Sequence, residues 1–262
     1  MRVGLIGHHS GLVRSLTGAG LEIVLHPGSV ASGVSAGPGV IPVDRYDAFM
    51  DLLDHPRLFL LDLPLGAAID RAIDIAYVTM EPGDVVLDPS ASYWGDTLRR
   101  FRRMRHRSLY YVDLGLIGTL PGATILAAGD ERGVRLCLPL LERLAAPGGV
   151  VRAGGAGAAH YSLMVRAGIA TAVAHAVSEA RQLLEAYPNE PEPDAVAARL
   201  WPVTVQPPQS AAWLLDDAIH LEAAVPLLAQ SIMLEMGAAL DDHRSAEAPP
   251  RVGGFIHPDD LL

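Results

Sequence analysis

Short apolar runs alternate with amphipathic stretches through the first half of the chain, and most runs stop at glycine, proline or aspartate. RVGLIG (Arg2–Gly7), LEIVLH (Leu21–His26), RLFLLDL (Arg57–Leu63), DVVLD (Asp84–Asp88), SLYYVD (Ser108–Asp113) and ATILAAG (Ala123–Gly129) predict buried strands. A short strand near Gly39–Ile41 and another at Gly149–Arg152 complete the set. Between them, helical periodicity falls on Leu12–Leu16, Tyr46–Leu53, Ala67–Met80, Asp96–Arg107 and Glu131–Leu144. Near-continuous apolar strands separated by helices predict a parallel sheet covered on both faces. After Gly157 the strand pattern stops. A long Ala-rich helix over Ala158–Tyr187 is followed by the linker PNEPEPD (Pro188–Asp194), then helices near Ala195–Trp201, Ser210–Ile219 and Leu221–Leu240, and a tail rich in Pro and Gly. The fold class is α/β: an N-terminal Rossmann-like, doubly wound parallel sheet over residues 1–156, followed by a smaller all-helical domain over 157–262.

Composition narrows the chemistry. Of 262 residues 50% are apolar, enough for a sizeable core. The formal net charge is -10, and all 20 basic residues are arginine, so no lysine is present for proton abstraction or a Schiff base. The one basic cluster (Arg99, Arg100, Arg102, Arg103, Arg105, Arg107) has the spacing of a solvated helix face and lacks interleaved aromatics, which argues against nucleic-acid binding. A single cysteine, Cys137 in an apolar run, excludes a disulfide framework and a thiolate metal cluster. No apolar stretch reaches membrane length and the N-terminus reads as a strand, so a cytoplasmic protein with no membrane association is expected.

The segment GGAGAAHYSLMVRAGIAT (Gly154–Thr171) resembles the acid/base helix of decarboxylating 6-phosphogluconate dehydrogenases and the wider β-hydroxyacid dehydrogenase family, whose pattern is G-x-G-H-x-x-K-M-V-x-N-G-I-E-Y. His160, Met164, Val165, Gly168 and Ile169 keep its frame. The similarity extends through VGLIG, HPRLFLLDLP, GDVVLDPSASYWGDTLRR, YYVDLG, AVPLLAQSIM and GGFIHP. Against that pattern the lysine falls on Leu163, the asparagine on Ala167, the acidic residue on Ala170 and the tyrosine on Thr171. Positions 163, 167 and 170 share one helix face, so an apolar stripe stands where the family's proton carriers would be.

The resemblance also implies a dinucleotide turn of the form G-x-G-x-x-G, which is Gly7-His8-His9-Ser10-Gly11-Leu12 here. Gly7, Ser10 and Gly11 would hold a dinucleotide if one is retained. His9 replaces the middle glycine, and His26-Pro27-Gly28 offers neither an acid for a ribose hydroxyl nor an arginine for a 2′-phosphate. No cofactor is therefore expected, with NADP as the alternative, and no metal. The family's substrate positions fall on Ser90 and Ser92, with Arg166 on the helix; the tail pair Arg251 and His257 keeps an Arg-to-His offset that in the family reaches phosphate in a neighbouring subunit. Candidate acid/base groups are His160, His8, His9, Asp62 and Tyr161; Asp62, Asp88 and Asp113 all stand at strand ends, where open α/β sheets bind ligands. Three functions stay open: a repurposed enzyme doing cofactor-independent isomerase, cyclase or dehydratase chemistry in specialised metabolism; a pseudoenzyme that binds a small molecule or partner; and an NADPH-dependent reductase of an unusual C=N or C=O substrate. A homodimer through the helical domain is expected, because Ala223–Leu240 is apolar all round.

Overall fold

The computed structural model describes residues 1–28, 37–186, 192–200, 211–241 and 252–254. The predicted linker largely lies outside them, as does most of the tail, including Arg251 and His257. Two compact units are present. The first comprises Met1–Ser162 with residues 252–254; the second begins at Leu163.

In the first unit an eight-stranded sheet has the order β3-β2-β1-β4-β5-β6-β7-β8. Its strands are β1 (Arg2–Ile6), β2 (Glu22–His26), β3 (Val40–Pro42), β4 (Leu58–Leu61), β5 (Val85–Asp88), β6 (Tyr110–Ile117), β7 (Ala123–Gly129) and β8 (Ala145–Gly154). Strands β1 to β6 pair in parallel. The departure from an all-parallel sheet is β7, antiparallel to β6. Residues 118–122 are too short for a crossover, which needs a dozen or so residues, and Gly118 and Gly122 take the positive φ of a hairpin. The helices are α1 (Leu12–Gly18), α2 (Ala48–Leu52), α3 (Ala67–Thr79), α4 (Trp94–Arg105) and α5 (Glu131–Leu144).

Side-chain alternation along the strands divides the core into two layers. Val3 and Leu5, Ile23 and Leu25, Leu58 and Leu60, and Val85 and Leu87 join Leu12 and Leu16 of α1 and Leu140 and Leu141 of α5. Ile6, Val24, Phe59, Leu61, Val86 and Tyr111 point the other way, to Phe49 of α2, Ile69 and Ile73 of α3 and Met104 of α4. This parity decides where each strand-end polar group goes. Asp62 follows the α1 face, whereas His26, Asp88 and Asp113 follow the α2–α4 face.

Helix α6 (Ala158–Glu185) begins in the first unit and continues in the second, which adds α7 (Pro193–Leu200), α8 (Ala211–His220) and α9 (Pro226–Asp241). Within the second unit, a Cβ at Gly168 of α6 would lie 2.5 Å from Leu214 Cδ2 of α8, so glycine permits their close approach. Helix α9 starts later than its apolar pattern predicts, at Pro226, a residue that favours a first helical position because it lacks an N–H. Among the described residues no helix is long and apolar enough to cross a membrane.

Candidate functional site

The strand order reverses at β1, between β2 and β4, and the turn from β1 into α1 lies at this switch point. Gly7 carries φ +100, and a Cβ there would stand 2.2 Å from the Asp62 carbonyl oxygen, so only glycine fits. His8, His9, Ser10 and Gly11 are exposed, and Gly11 takes φ +78 ahead of α1. Beneath them Asp62 is 4% exposed. Its carboxylate accepts the Ser10 N–H at 2.7 Å and the Leu12 N–H at 3.4 Å, while its carbonyl accepts the His9 N–H at 3.1 Å. These are the groups on which a diphosphate at this turn would depend. In this structure the Asp62 carboxylate already accepts from the Ser10 and Leu12 N–H groups.

At the end of β2, His26 is buried between Tyr46 and Phe49, its ring centroid 4.2 Å from that of Tyr46. Nε2 donates to the Asp44 carbonyl at 3.2 Å, and Nδ1 accepts the Gly28 N–H at 3.0 Å. Burial pulls the imidazole pKa below its ordinary value of 6.5, against the Asp44 carbonyl bond and charge that would raise it. Because the folded-state pKa is the depressed one, the stabilisation is complete above the unfolded value and is lost as pH falls from there towards the folded pKa. Unfolding titrations in urea at successive pH values should therefore show the stability difference between wild type and His26→Gln narrowing on acidification below 6.5. A constant difference would contradict this.

The other strand-end groups form a second cluster. Asp88 and Asp113 are direct register partners on adjacent strands and both are fully buried. Asp88 accepts the Ser90 N–H at 2.9 Å and the Tyr111 hydroxyl at 2.5 Å, and the Arg100 guanidinium lies 3.7 Å away. Burial alone would raise its pKa; the His160 ring, Arg100 and the Ser90 and Tyr111 donors outweigh that and hold it below the usual carboxylate range. Burial, with Asp88 adding to it, drives the Tyr111 phenol well above its ordinary value. Arg100 is 1% exposed. It donates from Nε to Asp70 at 3.0 Å and from Nη1 to Ser92 Oγ at 2.8 Å, and Ser92 Oγ lies 2.8 Å from Ser90 Oγ. Guanidinium nitrogens only donate, so Ser92 Oγ accepts from Arg100, and either serine hydroxyl can be the donor in the contact between them. Ser90 itself is half-buried. Between the two serines Ala91 takes φ 54, a left-handed conformation rare for a residue with a side chain and typical of functional turns.

His160 is 2% exposed and both its ring nitrogens are engaged. Nε2 donates to the Asp88 carbonyl at 3.0 Å. Thr97 Oγ1 lies 2.7 Å from Nδ1 and 3.4 Å from the Tyr93 carbonyl. Asp113 accepts the N–H groups of Gly157, Ala159 and His160 at 2.8, 3.0 and 3.2 Å, and so caps α6. Burial pushes the Asp113 carboxyl up, while His160 and these donors pull against it. Tyr161 packs its ring edge-on against Trp94, centroids 5.9 Å apart.

Of the sequence candidates, the first unit thus brings Ser90, Ser92 and His160 into one cluster about Asp88, and places Asp62 with Gly7, His8, His9, Ser10 and Gly11 on the opposite face of the sheet. Arg166 is exposed and belongs to the second unit; Arg251 and His257 lie outside the described residues. Leu163 and Ala170 are half-buried and Ala167 is buried. Among the described residues no group of three or more His, Cys, Asp or Glu could hold a metal ion. Arg100, Thr97 and Tyr111 escaped sequence reasoning. The arginine cluster is not a uniformly solvated face: Arg99 and Arg100 pair with Asp70, and Arg103 pairs with Asp74. The available signal was helical spacing, because Arg100 follows Thr97 by three and precedes Met104 by four, on the buried side.

Residues 4–155 match the family described as the NAD binding domain of 6-phosphogluconate dehydrogenase. The decarboxylating 6-phosphogluconate dehydrogenase of Citrobacter freundii is 30% identical over 163 residues, which cover 58% of this chain and 37% of that protein. The match therefore spans little more than a third of such relatives. The putative 6-phosphogluconate dehydrogenase YqeC of Bacillus subtilis is 24% identical over 224 residues, covering 74% of this chain and 75% of its own. Among solved structures, the 3-hydroxyisobutyrate dehydrogenase of Mycobacterium tuberculosis with L-serine has a TM-score of 0.69 at 16% identity, covering 92% of this chain and 94% of that one. The Plasmodium falciparum 6-phosphogluconate dehydrogenase has a TM-score of 0.66 at 16% identity, covering 99% and 68% respectively. With more than half of its length matched, this chain belongs to the 6-phosphogluconate dehydrogenase NAD-binding-domain family.

Proposed function

We propose that this protein binds a hydroxy acid at the Ser90 turn and does not carry out nicotinamide-dependent hydride transfer. The observation that carries this reading is the hydrogen-bonded chain from the buried Arg100 guanidinium through Ser92 to the half-buried Ser90 hydroxyl, a group able to bond a ligand oxygen. The substrate class draws support from the relatives, which are named for 6-phosphogluconate and 3-hydroxyisobutyrate. Against redox chemistry stand the carboxylate seated in the dinucleotide turn and the Leu163, Ala167 and Ala170 stripe, which lacks a proton carrier. The same reading keeps a homodimer through the helical unit: Leu227, Met233 and Leu234 of α9 are exposed, an apolar face that a second copy would cover.

Calorimetric titration of 3-hydroxyisobutyrate, gluconate and 6-phosphogluconate tests the reading. At least one should saturate the wild type, and Ser90→Ala should weaken it about ten-fold or more, as loss of a hydrogen bond to a charged group does. Reduction of NADP by any of the three with sustained turnover would refute it. Cofactor-independent proton transfer is the second reading. Its support is that His8 and His9 are exposed, whereas both nitrogens of His160 are engaged inside the protein.

A further inference from the structure

We infer that Asp62 is the specificity residue that closes this protein to dinucleotides, acting as a built-in occupant of the diphosphate position. The inference rests on the reading above and names the group that occupies the turn. Strand parity turns the Asp62 side chain from the end of β4 to the α1 face, beneath the turn. There its two oxygens take the Ser10 and Leu12 N–H groups, at 2.7 and 3.4 Å. Its backbone is locked in place as well: the Asp62 N–H donates to the Ile6 carbonyl at 2.8 Å, and its carbonyl accepts from His9 at 3.1 Å. Gly7 permits this approach, since any Cβ there would collide with the Asp62 carbonyl.

A carboxylate and a phosphate offer the same thing to a backbone N–H, namely anionic acceptor oxygens. The internal one is tethered and needs no association entropy, so a soluble diphosphate competes against a very high effective concentration. Even if Asp62 swung aside, its charge would remain beside the incoming phosphates. Occupancy and charge both act against the ligand, and one side chain supplies both.

Two variants separate these contributions. Asp62→Ala removes the occupant and its charge; Asp62→Asn removes the charge but leaves an amide oxygen for the Ser10 N–H. Each is titrated with NADP and with ADP by calorimetry, alongside the rise in melting temperature with ligand, which also reports folding. The wild type should show no saturation with either compound. Asp62→Ala should bind both at least ten-fold more tightly than the wild type, and Asp62→Asn should fall between. If either folded variant binds no better than the wild type, the inference is wrong, while the proposed function stands. Saturable NADP binding by the wild type would overturn both. Should Asp62→Ala not fold, the near-isosteric Asp62→Asn decides alone, and a gain of less than two-fold counts against the inference.

Discussion

Replacing Arg100 with leucine should destabilise the protein by about 3–5 kcal/mol, the range typical of removing one partner from a buried charge pair. The guanidinium serves Asp70, Ser92 and the Gly66 carbonyl directly and lies near Asp88, which is completely buried. Leucine fills part of the volume but takes the guanidinium away from Asp88, which is fully buried. Asp70 suffers less, being partly exposed and still held by Arg99. Arg100→Lys keeps the charge but cannot reach both Asp70 and Ser92 from one point, so a smaller loss is expected. Urea unfolding curves for wild type, Arg100→Leu and Arg100→Lys check the ranking. If leucine costs under 1 kcal/mol, Arg100 is not the support we describe. Ligand binding at Ser90 should weaken in both variants, because Ser92, the hydrogen-bond partner of Ser90, loses the guanidinium that holds it.

Asp113→Ala should cost about 2–4 kcal/mol, at and above the upper end of helix-cap losses, because three N–H groups lose their acceptor together in a buried place. Those groups open α6, a helix of 28 residues, at Gly157, Ala159 and His160. Asp113→Asn retains one oxygen and turns an NH2 towards a donor, so roughly half of the loss should remain. The effect should also reach beyond stability. His160 is oriented by its own backbone at the start of α6, and a frayed start would release its ring from Thr97 and Asp88. Amide hydrogen exchange at residues 157–161 should rise in the alanine variant before global unfolding. Unchanged protection there would show that the carboxylate caps nothing of consequence.

Much of the architecture was legible in the chain. The six long apolar runs became strands of one sheet, because a parallel sheet buried on both faces demands such runs. The antiparallel β7 was not legible, since an apolar run carries no direction; the short connection before it is the sole local hint. Within the site, the three strand-end aspartates looked equivalent. In sequence each simply ends an apolar run, and their grouping with His8 or His160 was open. Parity along the strands separates them: Asp88 and Asp113 share a face with α4 and the start of α6, and Asp62 faces α1.

Arg100 was hidden for a different reason. A run of arginines has the look of a solvated face, and its partner Asp70 lies on another helix, thirty positions earlier. Helical spacing could mark the position as inward-facing but could not say what would neutralise a guanidinium there. His160 was found by its motif, whereas its hydrogen-bonding partners were not, because Thr97 and Asp88 are remote in the chain.

The amino-acid order by itself determined the element sequence, the family and the absence of lysine, since periodicity, motif frame and composition are local or additive properties. The tertiary structure alone decided which polar groups are available for chemistry. Availability depends on what is packed beside a group. A carboxylate that reads as a free acid at a strand end becomes, once the sheet and helices close, the acceptor for a turn, a cap or a buried arginine.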